Sequence, residues 1–215
     1  MSHGESARRE RMVRQLAERG IRQARVLEAL RAIPRERFVD DWLDAQAYEE
    51  SALPIGAGQT LSQPWIVARM CELAEPDGSG QVLEVGTGSG YHAAVLSRVF
   101  EQVYTVERIA ELSRRARRTV RALGIENVHF KVFDGGYGWS EFAPYRAIVV
   151  TASTPEMPAP LFRQLTEGGR LVLPLGAADT RQSLVSFRKL DGLPRCEEHG
   201  DCQFVPLVGR YGRSP

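Results

Sequence analysis

Val82-Leu83-Glu84-Val85-Gly86-Thr87-Gly88-Ser89-Gly90-Tyr91 is an apolar run carrying an acid, followed by three glycines at alternate positions. It predicts a strand that stops, a tight turn that exposes bare backbone to a ligand, and a helix that starts. A second acid, Glu107, closes the next apolar run, Val103-Tyr104-Thr105-Val106, and a third, Asp134, follows Phe130-Lys131-Val132-Phe133. Three strand-end acids in order behind one glycine loop predict a nucleoside-binding crevice.

Outward from that loop the pattern alternates. Apolar runs at 82–85, 103–106, 128–133, 147–150 and 171–175 are separated by helical spacing at about 91–100, 110–122 and 159–166. This alternation predicts an α/β fold, a doubly wound Rossmann-like parallel sheet covered on both faces. Toward the C-terminus, runs at 183–190 and 203–208 with Asp191-Gly192 as a turn predict an antiparallel pair at the sheet edge. Toward the N-terminus, residues 6–19 and 26–33 have helical spacing, with Gly20 and Pro34 as stops. Residues 35–63 are too broken for a long helix and read as a structured functional loop, and Pro64 opens a further helix.

At 215 residues the chain reads as one domain. Residues 1–80 hold the N-terminal helical extension and the loop, 81–176 the ligand-binding core, and 177–215 the C-terminal strands. The formal charge of +1 carries no polyanion-binding signature. The arginine clusters at 8–11 and 114–118 read as solvated helix faces. No apolar stretch approaches the roughly 20 residues that cross a bilayer, and the charged N-terminus has no apolar segment behind it. A cytoplasmic protein is expected. Three cysteines in a chain of this length predict reduced thiols. Cys196-x-x-His199-x-x-Cys202 has metal-like spacing but no evident fourth ligand, so no metal is expected.

The ligand can be narrowed. A dinucleotide fingerprint places its third glycine one position later than Gly90. A carboxylate from Glu84 at the loop mouth would repel a pyrophosphate and suit a cation. S-adenosylmethionine carries a sulfonium and an ammonium and no phosphate. Gly86, Thr87, Gly88, Gly90, Arg108 and Gly135 are the expected backbone and neighbouring contacts; Glu107 is placed to accept from the ribose hydroxyls and Asp134 from the adenine amino group.

Leu53-Pro54-Ile55-Gly56, Gly58-Gln59-Thr60-Leu61-Ser62-Gln63-Pro64, the glycine loop, Val106-Glu107-Arg108-Ile109, residues 168–176 and Phe204-Val205-Pro206-Leu207-Val208 together resemble the protein-L-isoaspartate O-methyltransferases. The glycine loop is common to class I methyltransferases; the Gly-Gln-Thr-x-Ser-Gln-Pro segment is close to diagnostic. The resemblance implies that Ser62 is the active-site serine, that Gln63 and Pro64 line the cofactor pocket, and that Ile55, Gln59, Thr60, Val205, Pro206 and Leu207 border the peptide. It implies methyl transfer from S-adenosylmethionine to the free carboxylate of L-isoaspartyl residues in damaged proteins, with D-aspartyl residues as a candidate second acceptor. The ester then closes to a succinimide and repair begins. Phe133, Gly136-Tyr137 and Ser153 depart from the family pattern.

A carboxylate is already ionised at neutral pH, so this chemistry needs no general base, and residues 53–64 contain neither His nor Lys. Ser62 would orient the acceptor. By local sequence alone Ser62 reads equally as a helix N-cap, with Thr60 and Gln63 as a capping box. Two other functions compete: carboxyl methylation of a normal aspartate in a particular peptide, and nucleic-acid methylation. The second lacks its usual signature, since Val150-Thr151-Ala152-Ser153-Thr154 carries no Asp-Pro-Pro-aromatic motif. Damaged polypeptides are therefore the expected partner, with no nucleic acid or membrane, and the absence of a heptad seam favours a monomer.

Overall fold

The computed structural model describes residues 3–177 and 181–213; the outermost residues of the assigned N- and C-terminal segments, with 178–180, lie outside the described residues. Five parallel strands form the centre: β3 (Gln81–Val85), β4 (Gln102–Glu107), β5 (Val128–Val132), β6 (Tyr145–Val150) and β7 (Leu165–Leu175). Two antiparallel strands, β8 (Gln182–Leu190) and β9 (Leu193–Cys202), complete a seven-stranded sheet of order β5-β4-β3-β6-β7-β8-β9. The order reverses between β3 and β6, and the carboxyl ends of those strands open a crevice there.

Alternation along each strand splits the core into two layers. Val82, Val103, Ala147, Val149 and Val172 pack against α1 (His3–Glu18), α2 (Ala24–Ala32), α3 (Pro64–Leu73), α4 (Tyr91–Leu96) and α5 (Ala110–Ala122). Leu83, Val85, Ile148, Val150, Leu171 and Leu173 face the other way, toward α6 (Ala159–Arg163) and Trp139. No helix among the described residues is long and apolar enough to cross a membrane.

The segment 35–63 contains two 3-10 turns, Arg35–Phe38 and Asp41–Gln46, and a hairpin of β1 (Leu53–Gly56) with β2 (Gln59–Leu61). The alternation of buried Leu53 and Ile55 with exposed Pro54 and Gly56 is the period-2 signal of that hairpin. At the C-terminus the edge pair differs from expectation. The partner of β8 is the polar run 193–202, joined through Asp191-Gly192, whose φ values of 53° and 74° suit a type I′ turn. A two-residue turn fixes the returning strand immediately, and an edge strand with both faces in water needs no apolar pattern. The apolar run at 203–208 instead crosses the sheet end, bridging Pro206 to Ser153.

The arginine clusters are only partly solvated. Arg9 is buried, Arg115 donates to Ile55 O at 3.2 Å and Asp40 at 3.0 Å, and Arg117 donates to Phe130 O at 2.9 Å.

Gly90 caps α4 at φ +89°, and a Cβ there would lie 2.9 Å from the Ala116 Cβ of α5. It seats one helix on another and stands outside the crevice lining, contrary to the contact expected of it. Gly90→Ala combines left-handed strain with overpacking and should cost about 2 to 4 kcal/mol in urea unfolding, with an unchanged m value.

Candidate active site

The glycine loop runs through three left-handed residues, Gly86, Gly88 and Gly90, at φ 99°, 52° and 89°. Thr151, at the end of β6, donates its hydroxyl to Gly86 O at 2.7 Å, and a Cβ on Gly86 would meet that hydroxyl oxygen at 2.3 Å. Glycine is therefore demanded by both backbone angle and space. Glu107, at the tip of β4, accepts from Gly88 N at 3.0 Å and Ile109 N at 2.9 Å. One carboxylate oxygen is used by each amide, which leaves a further lone pair on each for a ligand.

Around this loop lies an open cleft of about 840 Å³, counting the solvent at its mouth. Gly86, Thr87, Gly88, Glu107, Arg108 and Gly135 line one end. Gln59, Thr60 and Ser62 from the hairpin line another side, and Val205, Pro206 and Leu207 cross over it. The segment at 205–207 is held by Ser153, whose amide donates to Val205 O and whose carbonyl accepts from Leu207 N, both at 2.8 Å. The Ser62 hydroxyl makes no hydrogen bond among the described residues and is free for a ligand, while its carbonyl accepts from Arg35 Nη2 at 2.7 Å. The N-cap reading of Ser62 does not hold. Gln63 is the cap position of α3 without a side-chain bond, and the Trp65 amide is satisfied by Glu50 Oε1 at 3.1 Å.

Five other expected contacts stand outside the lining, besides Gly90. Ile55 is buried beneath the hairpin, and Gln63 and Pro64 form the start of α3. Asp134 accepts from Gly136 N and from Arg210 N, each at 2.9 Å, one on each carboxylate oxygen, so it ties the C-terminal segment to the tip of β5 and stands outside the cleft lining. Glu84 is fully buried. Strand alternation places it on the same face as Val82, toward α4, rather than at the loop mouth. Its Oε2 accepts from the Thr105 hydroxyl at 2.6 Å, and Thr105 lies 2.5 Å from the Thr87 hydroxyl. Burial pushes the Glu84 carboxyl up to about 8, Glu107 adds to the shift, and the Thr105 hydrogen bond opposes it. Glu84 thus supports the loop from below, and the charge facing a ligand comes from Glu107.

The sequence marks neither Val67 nor Met70 as a contact and favours packing or solvent over a ligand contact for His92 beside the glycine loop, yet all three line the cleft. His92 Nε2 is 3.2 Å from Cys71 Sγ, and Nδ1 is 3.7 Å from Glu84 Oε1. Burial lowers His92 to about 4, so at neutral pH this is a neutral imidazole beside a protonated carboxyl, not an ion pair. Trp139 packs edge-on to Tyr104 at 5.6 Å, and His129 stacks on Tyr104 at 4.9 Å; both are sheet packing. His199 shares a hydrogen bond with Ser186 at 2.8 Å, and no group of three or more His, Cys, Asp or Glu among the described residues is placed to hold a metal.

The model of the protein-L-isoaspartate (D-aspartate) O-methyltransferase family matches residues 7–212. The chain belongs to this family. The protein-L-isoaspartate O-methyltransferase of Alkalilimnicola ehrlichii is 52% identical over 202 residues, 94% of this chain and 91% of that one. Protein-L-isoaspartate O-methyltransferase 2 of Pelobacter propionicus is 53% identical over 207 residues, 95% and 92% of the two chains. A solved protein-L-isoaspartate O-methyltransferase superimposes with a TM-score of 0.84 at 35% identity, over 92% of this chain and 65% of that one. Within this family chain, the hairpin serine and the glycine loop share a single cleft.

The two buried groups set a pH dependence. Glu84, raised to about 8, holds its proton in the folded state where the unfolded chain has released it, so its contribution falls as pH rises from about 4.5 to 8. His92, lowered to about 4, acts in the opposite sense up to its unfolded value near 6.5. The two offset each other below pH 6.5, and Glu84 alone acts above it. The ligand-free protein should lose about 2 kcal/mol between pH 6.5 and 8 from this source, and Glu84→Gln should flatten that limb in urea unfolding followed against pH.

Proposed function

We propose that this chain transfers the methyl group of S-adenosylmethionine to the free carboxylate of L-isoaspartyl residues in damaged polypeptides, with Ser62 orienting the acceptor. The carrying observation is that Gln59, Thr60 and Ser62 line the same cleft as the glycine loop and Glu107, in a chain that matches the family model over residues 7–212. The residues fit the donor. The bare backbone of Gly86 and Gly88 admits close approach, the free lone pairs of Glu107 suit a ribose diol, and Gly135, where a Cβ would meet Val85 at 2.4 Å, leaves a flat surface for a base. When bound, S-adenosylmethionine supplies an electrophilic methyl group on a sulfonium.

The chain's own part is placement and the exclusion of water. Ser62 donates its hydroxyl to one carboxylate oxygen and leaves the other directed into the cleft. Thr60 and Gln59 hold the flanking peptide, and Val205, Pro206 and Leu207 cover it. Val67, Met70, Val85 and Leu207 make the surroundings apolar, so charges brought together there are poorly solvated. No base is required, because the acceptor arrives ionised. In the methyl ester released, the following backbone nitrogen attacks the ester carbonyl and methanol leaves, which closes a succinimide whose hydrolysis restores part of the aspartate. D-aspartyl residues are a second acceptor in this proposal. The same reading makes the protein a cytoplasmic monomer that acts on polypeptides and not on nucleic acid, supported by the near-neutral charge and by β6 ending without an Asp-Pro-Pro-aromatic motif.

Matched peptides carrying isoaspartate, aspartate or neither separate the readings. Labelled methyl should enter the isoaspartyl peptide alone; labelling of the aspartyl peptide instead would move the function to peptide tailoring, and labelling of neither would overturn it. Ser62→Ala should lower kcat roughly 100-fold while S-adenosylhomocysteine binds as before in calorimetry. Glu107→Ala should weaken that binding by about 10- to 100-fold, since it removes both the loop clamp and the diol acceptor.

A further inference from the structure

Arg35 is fully buried, yet both its hydrogen bonds go to carbonyl oxygens: Nε donates to Ala47 O at 2.6 Å and Nη2 to Ser62 O at 2.7 Å. The guanidinium also sits over the ring of Tyr91, 4.8 Å from its centroid, and Nη1 is buried without a partner. Glu50, the carboxylate that contributes most to its electrostatics, is engaged elsewhere, with the Trp65 amide and with Arg19 at 2.9 Å.

A guanidinium buried in this way is poor at stabilising a fold. Desolvation costs several kcal/mol per ion, and an apolar side chain of similar volume is often as good or better. What arginine supplies here is geometry. Its planar fork reaches two carbonyls at once, 15 positions apart in the chain, while its face stacks on an aromatic ring. The three groups so joined are the end of the second 3-10 turn at Ala47, the residue carrying the free hydroxyl, and Tyr91, the first residue of α4 directly after the glycine loop.

We propose that Arg35 is a positioning residue for methyl transfer, fixing the Ser62 backbone relative to the glycine loop so that the hydroxyl meets the acceptor carboxylate. The inference rests on the role given to Ser62 above. A hairpin serine held only by its chain neighbours would sample several orientations, and misplacement by about 1 Å is enough to cost 100-fold in rate. Arg35 removes that freedom by tying the serine's own carbonyl to a body that includes the donor-side helix. It acts through Ser62 and stands outside the cleft lining.

Arg35→Lys keeps the charge and loses the fork. Arg35→Gln keeps one donor and removes a buried charge, which favours folding of that variant. Both should lower kcat on the isoaspartyl peptide by about 10- to 100-fold, with the peptide KM changing less than about threefold and S-adenosylhomocysteine affinity unchanged. Hydrogen exchange should rise at the amides of residues 59–63 and stay as in the parent protein across β3, β4 and β6. Variants that melt earlier but retain kcat and the exchange pattern of 59–63 would make Arg35 merely structural and overturn the proposal. Failure of the parent protein to methylate the isoaspartyl peptide would remove the function on which the kinetic arm depends; the exchange arm would still decide whether Arg35 holds the serine loop.

Discussion

The site depends on a backbone that must turn through left-handed space directly above a buried parallel sheet. Gly86 has Thr151 against its missing side chain, Gly88 has Ile55, and Gly90 has Ala116. These three neighbours come from the end of β6, from the β1–β2 hairpin and from α5. The loop is thus the point where the sheet, the helical layer and the hairpin meet. Glu107 closes the arrangement from β4 by accepting the Gly88 amide at the crevice where the strand order reverses. Because the loop is packed on every side but the one that faces the cleft, its shape is held by its neighbours as well as by its left-handed glycines.

That dependence decides what was legible in the residues alone. The parallel core was legible because buried central strands read as continuous apolar runs and their helices as amphipathic spacing, and both are local patterns. Ser62 stands out as a site candidate only through the family resemblance; taken alone, Ser62 before Pro64 reads as a cap, and the structure gives the capping task to Glu50, 15 residues upstream of Trp65. Glu84 was misplaced for a definite reason. Its position in the sequence says that it is near the loop, but the face it takes follows from strand alternation, and a buried face raises its pKa and removes its charge. Asp134 shows the same limit, since one of its oxygens accepts an amide from Arg210, far along the chain, a tie that no local pattern announces. Arg35 could not be separated from the charged surface around it, because nothing local marks an arginine as buried.

The edge of the sheet shows how turn chemistry can outweigh hydrophobicity. The apolar run at 203–208 has the stronger strand pattern, yet Asp191-Gly192 commits residues 193–202 to pairing first. The apolar run is thereby free to cross the open end of the sheet, where its Val205, Pro206 and Leu207 cover the cleft. A polar edge strand and an apolar cover follow from a single two-residue turn.

The distribution of charge then makes chemical sense of the site. A reaction that joins a carboxylate to a cationic donor is favoured when neither charge is held by a fixed counter-charge, since strong pairing would stabilise the reactants and not the transition state. On the serine side of the cleft the side chains follow this rule: Ser62 and Thr60 are uncharged, His92 is neutral, and the buried Glu84 behind it keeps its proton to about pH 8, while Arg108 stands with Glu107 at the glycine-loop end. Glu107 is engaged by two backbone amides at the far end of the loop. Arg35, a buried cation beside the serine loop, is turned to the carbonyls of Ala47 and Ser62. The serine side of the cleft thus presents neutral hydrogen-bonding side chains, while Glu107 and Arg35 are bonded to backbone groups of the supporting loops.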